Sequence, residues 1–340
     1  MSEQVLKFDQ AGIRRMVRYG IILLVAGMLG NLVFSLVTTD RQMILSLQRF
    51  QPVYFFLAVF LSLVPWITNT LRLMIWTRFL GKRYNLQELF KIVLGADIGS
   101  AITPTAIGGG YVKAGMLVQR GFNAGAAASL MTLGSVEDGV FFALALPIAF
   151  FISSSADNSI VNNFFSKLGA QYEIVFLVLS GLILVTSLII FIAGKTGKLH
   201  TSLVNKIRGK ISKVWQDFSF VYLTIGKTGK SRFFLSLLLT AIQWICRYSV
   251  LTVLLKALGI TVDPVLFFLV QWLTFSIMTT IPTPGAMAGA EASFYLMYAH
   301  LIPRDFLGLI TTGWRFLTFY LQVGLAIILI SCISFFNMQK

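Results

Sequence analysis

The chain alternates long apolar runs with short polar or basic joints. Unbroken runs cover 19–37, 52–76, 139–154 extended backwards, 174–193, 233–257 and 306–336. A helix needs roughly 20 residues to cross ~30 Å of hydrocarbon, so these six are read as full membrane spans. Two further stretches are apolar but interrupted: 92–133, broken by TPTAIGGG (Thr103 to Gly110), and 265–300, broken by IPTPGAMAG (Ile281 to Gly289). Pro104, Pro282 and Pro284 cannot donate to a helix ladder, and glycine admits left-handed or closely packed backbone. Each stretch is therefore read as a hairpin of two half-helices. Backbone opened in this way survives at membrane depth only if it is buried in protein or lines a wet cavity.

A different pattern runs through 195–232. Val204, Ile207, Ile211, Val214, Phe218, Val221 and Ile225 recur at helical spacing, with Lys206, Arg208, Lys210 and Lys213 between them. This predicts an amphipathic helix on the cytoplasmic leaflet, serving as a topology anchor or as a contact for anionic lipids.

Composition agrees with the pattern. Hydrophobic residues make up 56% of the chain and charged residues 12%, with a mean hydropathy of +0.81, which predicts an integral membrane protein without a sizeable soluble domain. Cys246 and Cys332 sit inside apolar runs, excluding a disulfide framework, and His200 and His300 lack neighbouring ligands. No metal and no cofactor is expected. The formal charge of +15 is explained by its placement rather than by nucleic acid. If the N-terminus is cytoplasmic and each hairpin returns to its own side, the inside segments carry +14 and the outside segments −1. That is the positive-inside pattern, with both termini cytoplasmic and the plasma (inner cell) membrane as the expected location. Arg14, Arg15 and Arg18 precede a run too long for a secretory signal and without an A-x-A site, so an uncleaved anchor is expected. Two GKT fragments, at Gly194–Thr196 and Gly226–Thr228, have Ile189 and Val221 where a phosphate loop needs its first glycine, so no nucleotide-driven pump is expected.

The interruptions resemble each other. Thr103-Pro104 falls on Thr283-Pro284 and Gly109 on Gly289 at an offset of 180, and the same offset carries 52–76 onto 232–256. The expected fold is all-α and polytopic, built from two inverted-topology repeats, 1–160 and 161–340, each holding one re-entrant hairpin. Three crossings per repeat is an odd number, so the second repeat lies upside down, as in many secondary transporters. Half-helices starting after Gly110 and Gly289 would point amide donors at an anionic group.

Arg72, Asp97, Lys113, Arg120, Glu137, Asp138, Arg247, Lys256, Glu291 and Arg315 all fall in or beside apolar segments. An insertion cost of about 2.5–3.5 kcal/mol for a charge at a helix centre forbids exposing this many to lipid. Arg120 and Lys256 lie near segment ends and snorkel. The others either line a polar cleft or form internal salt bridges, and the sequence leaves both readings open. Glu137 and Asp138 are adjacent, so on a helix they point apart and make a poor acid–base dyad. An enzyme is not expected.

Asn69-x-x-Arg72 with Trp76, TPTAIGGGYVK with its Lys113, Glu137-Asp138, Arg247, PTPGAMAGAE and Trp314-Arg315-Phe316-Leu317-Thr318-Phe319-Tyr320 follow one another in order. In that order they resemble the flippase-like membrane domain family, the membrane half of the lysylphosphatidylglycerol synthase/flippase proteins (multiple peptide resistance factor), over about 50–336. The resemblance implies movement of a phospholipid or polyprenyl-linked lipid between leaflets, with the Pro/Gly motifs (Thr103, Pro104, Gly108, Gly109, Gly110; Thr283, Pro284, Gly285, Gly289) and their charged neighbours at the centre. Two departures stand out: Gly110 where many members are polar, and Ala286 and Ala288 where glycine is common. The aminoacyltransferase domain of the full-length proteins has no counterpart in these residues. A cleft lined by Arg72, Arg247, Arg315, Asp97, Glu137 and Glu291 would solvate a charged head group, and an anionic one is the first expectation. The alternative is a proton-coupled transporter of a small solute, with Glu137, Asp138 or Glu291 as relay, and a non-transporting scaffold is a third reading. Homo-oligomerisation is left open.

Overall fold

The computed structural model describes residues 50–103, 106–156, 216–281, 283 and 285–338, together with 22, 25, 27–30 and 33. The expected span at 174–193 and the basic stretch up to residue 215 lie outside the described residues, as do Pro104, Pro282 and Pro284. Of the expected span at 19–37, the described positions are helical.

Nine helices among the described residues position the site. They are α1 (Pro52–Phe79), α2 (Leu86–Ile102), α3 (Gly108–Gln119), α4 (Ala124–Ala156), α5 (Lys230–Ala257), α6 (Pro264–Thr280), α7 (Gly289–Tyr298), α8 (Arg304–Arg315) and α9 (Leu321–Met338). A π-helical turn, Phe316–Tyr320, joins the last two. A further helical segment covers 216–228. Four stretches are long and apolar enough to cross a membrane: Pro52–Phe79, Ala124–Ser153, Lys230–Ala257 and Arg304–Ile333. The protein is thus an all-helical, multi-pass membrane protein.

Local chemistry sets the ends. Pro52 and Pro264 occupy first-turn positions, where a missing N–H costs nothing. Asp263 Oδ1 accepts from Val265 N at 2.8 Å and Leu266 N at 3.3 Å, while Asn123 Oδ1 accepts from Ala126 N at 2.7 Å. The Asn123 cap starts α4 well ahead of residue 139. Residues 124–133, which the sequence reading included in the first broken stretch, belong to this long helix, and the second arm of that stretch ends at Gln119.

One order of helices occurs twice. The starts Pro52, Leu86, Gly108 and Ala124 are matched by Lys230, Pro264, Gly289 and Arg304 at nearly constant offset. α1 and α5 are 28 residues each, and α2 and α6 are 17 each, so the match extends to length. α1 lies along α5 as the central pair; α2 packs on α3, and α6 on α7. The late helix of each set crosses to the other: α4 packs on α6, and α9 on α2. Two apolar cores result, one around Leu73, Trp76, Ile92, Leu117 and Leu133 and one around Leu251, Phe294, Tyr298 and Trp314. Outward-facing stripes such as Leu144, Ile148 and Phe151 on α4, or Leu238, Ile242 and Ile245 on α5, stay exposed, as lipid-facing surfaces must.

Candidate functional site: two broken hairpins and their buried charges

The breaks share a backbone conformation. After Thr103 ends α2 in extended geometry, Ala106 N donates to Thr103 O at 3.3 Å; after Ile281 ends α6, Ala286 N donates to Thr283 O at 3.0 Å. Ala106 has φ +57° and Ala286 +53°, and Ala288 follows at +59°. Among the described residues these three alanines are the non-glycine positions with positive φ, and all lie in the breaks. Such a conformation costs an L-residue about 1–2 kcal/mol. The loops differ in what their threonines do. Thr103 Oγ1 donates to Gly99 O at 2.8 Å and accepts from Gly108 N at 2.9 Å, whereas Thr283 Oγ1 donates to Met287 O at 3.1 Å.

Glycines let the half-helices close up. A Cβ on Gly109 would stand 2.0 Å from Ser100 Oγ and 2.6 Å from Ala96 O, and one on Gly108 would stand 2.8 Å from Gly99 O. α3 begins at Gly108, ahead of the expected start, so Gly109 and Gly110 lie in its first turn.

The first charged group is built on α1, α4 and α5. Arg72 donates to Glu137 Oε2 from Nε at 2.9 Å and from Nη2 at 2.6 Å, to Gln243 Oε1 at 2.9 Å, to Gly134 O at 3.1 Å and to Asn69 Oδ1 at 3.3 Å. Its Nη1 also lies 3.3 Å from Asp138 Oδ1. Trp76 Nε1 donates to the other Glu137 oxygen at 2.7 Å, and Trp244 Nε1 donates to Asp138 at 3.0 Å. Arg72 is 4% exposed and Glu137 1%, so the centre of this network is sealed from solvent, while Asp138 at its edge is half-buried. Burial strengthens such bonds and makes leaving either charge alone expensive.

Three more charges border this network. Asp97 on α2 accepts from Trp66 Nε1 and is within electrostatic range of Arg247. Lys113 on α3 is in range of Arg72, Glu137 and Asp138. Arg247 on α5 lies over two aromatic rings, its guanidinium carbon 5.7 Å from the Trp244 centroid and 5.2 Å from that of Phe275.

The second charged group is separate and belongs to the second break. Arg315, 2% exposed, has its Nε 3.4 Å from Glu291 Oε1, donates to Gly285 O, and stacks 4.1 Å above the Phe319 ring. A Cβ on Gly285 would meet that ring at 2.3 Å, so the stack needs a glycine there. Trp314 points the other way, into the core against Phe294 at 4.9 Å. Beside Glu291 is a cavity of about 630 Å³ lined by Gly27, Gly30, Met287, Ala288, Ala292, Tyr295 and Tyr320.

Glu137 lies within α4 rather than at the start of a helix, and Arg315 closes α8. Thr103, Gly108, Gly109 and Gly110 gather at the first break, and Thr283, Gly285 and Gly289 at the second. Sequence reasoning missed Gln243, Trp66, Trp244 and Ser236, the last accepting from Trp76 at 3.2 Å. Gln243 was the most findable, as an amide inside the apolar run 233–257.

Comparison with known proteins matches this sequence to a family. The chain is 24% identical over 279 residues to a "UPF0104 membrane protein" of Archaeoglobus fulgidus, an alignment covering 78% of this chain and 82% of the relative. The family model described as "Lysylphosphatidylglycerol synthase TM region" matches residues 19–326, reaching further towards the N-terminus than the ordered motifs do. With both breaks and both charged groups inside that match, the chain belongs to the lysylphosphatidylglycerol synthase TM region family.

Proposed function

We propose that this protein lets a lipid with a charged head group change leaflets, along a polar path bordered by the two breaks. The observation that carries the reading is the cavity beside Glu291. Its wall is apolar or aromatic except for one carboxylate, which Arg315 meets at its edge. Such a space suits an amphiphile, whose chain takes the apolar wall while the head is solvated by charges. A small polar solute would gain little from that wall. In this reading the twofold helix order is an inverted repeat, and α2–α3 and α6–α7 are re-entrant hairpins entering from opposite sides. Both termini face the cytoplasm of the cell. Phospholipids and polyprenyl-linked lipids with anionic heads are the proposed substrates, and the transport needs no enzyme chemistry and no cofactor.

The test is lipid translocation in liposomes, using fluorescent phosphatidylglycerol, phosphatidylcholine and a polyprenyl phosphate. Wild-type protein accelerates flipping of the anionic probes, and Glu291→Gln and Arg315→Ala reduce it at least tenfold. Folded, monodisperse wild-type protein that accelerates no probe overturns the proposal and directs attention to solute transport, with proton flux in Glu137→Gln and Glu291→Gln as the next measurement.

A further inference from the structure

The charges in and beside the breaks differ in what they lack. Glu137 is held by Arg72 and Trp76, Asp138 by Arg72 and Trp244, and Asp97 by Trp66, so each of these carboxylates already has a donor. Arg72 spends its donors on Glu137, Gln243, Gly134 and Asn69, and Arg315 reaches Glu291 and Gly285. Two cations remain. Among the described residues, Arg247 and Lys113 make no hydrogen bond and no ion pair within 4.0 Å, and the Nε of Arg247 is buried without an acceptor. The uncommitted charges of this set are therefore both cations, and a ligand that completes either must bring acceptors.

Arg247 is the better placed of the two. Lys113 is a point charge on a flexible stem. The Arg247 guanidinium lies over Trp244 and Phe275, whose faces restrain it before any ligand arrives. Trp244 is itself tied down by its bond to Asp138. The Arg247 side chain is only partly buried, so its fork is open to an incoming group. A planar fork of N–H donors matches two oxygens of one phosphorus, which it engages in parallel.

Resting on the transport reading above, we propose that Arg247 is the receptor for a phosphate or phosphodiester group, and that Arg72, although it is the more deeply buried arginine, is not. Arg72 has its donors committed and instead joins α1 to α4 and α5.

Native mass spectrometry of the purified protein in detergent tests this with phosphatidylglycerol, the phosphate-free diacylglycerol and inorganic phosphate as probes. Wild-type protein retains phosphatidylglycerol at least tenfold better than diacylglycerol. Arg247→Gln removes that preference, Arg247→Lys keeps only part of it, and Lys256→Gln, on the distant rim over Tyr54, leaves it intact. Should Arg247→Gln fail to fold, Phe275→Leu removes one face of the frame and lowers the preference several-fold. An Arg247→Gln protein that retains phosphatidylglycerol like the wild type overturns the proposal. If inorganic phosphate binds in an Arg247-dependent way while no lipid is preferred, the phosphate receptor stands and the lipid reading falls. If wild-type protein flips lipids and Arg247→Gln flips them equally well, transport stands and the receptor falls.

Discussion

Arg72 on α1 reaches Glu137 on α4 at 2.6 Å, with both side chains almost wholly withdrawn from solvent. The pair spans 65 positions of sequence and is completed by Trp76 on the second carboxylate oxygen. Removing one partner leaves a buried charge with too few bonds, so Arg72→Ala and Glu137→Gln should each destabilise the protein by about 3–5 kcal/mol. The double variant Arg72→Met/Glu137→Met should cost less than the two single changes together. Thermal unfolding in detergent, run as a double-mutant cycle, measures the coupling, and simple additivity would contradict the lock.

The left-handed alanines make a second prediction. Ala106→Gly, Ala286→Gly and Ala288→Gly each relieve positive-φ strain and should stabilise the fold by about 1 kcal/mol. Ala286→Val adds a branched side chain in the same conformation and should destabilise by more than the glycine gains. Melting temperatures of the four variants decide it.

Close approach at the first break gives a third. Gly109→Ala drives a methyl into Ser100 and the Ala96 carbonyl and should lower both folded yield and melting temperature. Gly139→Ala, on α4 with nothing within 4 Å of the added carbon, should be neutral or stabilising by up to about 1 kcal/mol, as expected for a helix interior. Equal losses in both would mean that the hairpin is not close-packed in the membrane.

Orientation is testable with cysteines in a protein lacking Cys246 and Cys332. Single cysteines at Gln119, the last residue of α3, and Asp305, in the first turn of α8, are both exposed and should react with an impermeant thiol reagent from opposite sides. Labelling of Gln119→Cys from inside and Asp305→Cys from outside is the expected result. Labelling of both from one side contradicts the inverted arrangement.

Much of this molecule was legible in the order of its residues, and the parts that were not share a cause. Hydropathy found the four described spans and both interruptions because a crossing must be apolar for its whole length. It placed the start of α4 too late because the apolar residues up to 133 were read as part of the first broken stretch, while the helix is set by the Asn123 cap. Residues of the charged groups were visible as anomalies in apolar runs, but their partners were not. Whether Arg72 meets Glu137 or Arg315 meets Glu291 depends on how helices are rotated against one another, which one helix's sequence does not state. The indole donors were hidden for the same reason, since a tryptophan in an apolar run reads as packing until its N–H is seen to face a carboxylate.

The run 306–336 also concealed the π turn at Phe316–Tyr320, which hydropathy cannot register. That turn holds one residue more than a regular one, so α9 is out of phase with α8 by roughly the 100° that one residue contributes. A single continuous rod would present one stripe to one neighbour. The phase slip gives this span two seams instead: α8 faces α5 and α7, and α9 is turned onto α2. Deleting one residue from the turn would restore an ordinary helix and rotate one seam out of register. This short insert is therefore what lets one span hold both halves of the molecule together.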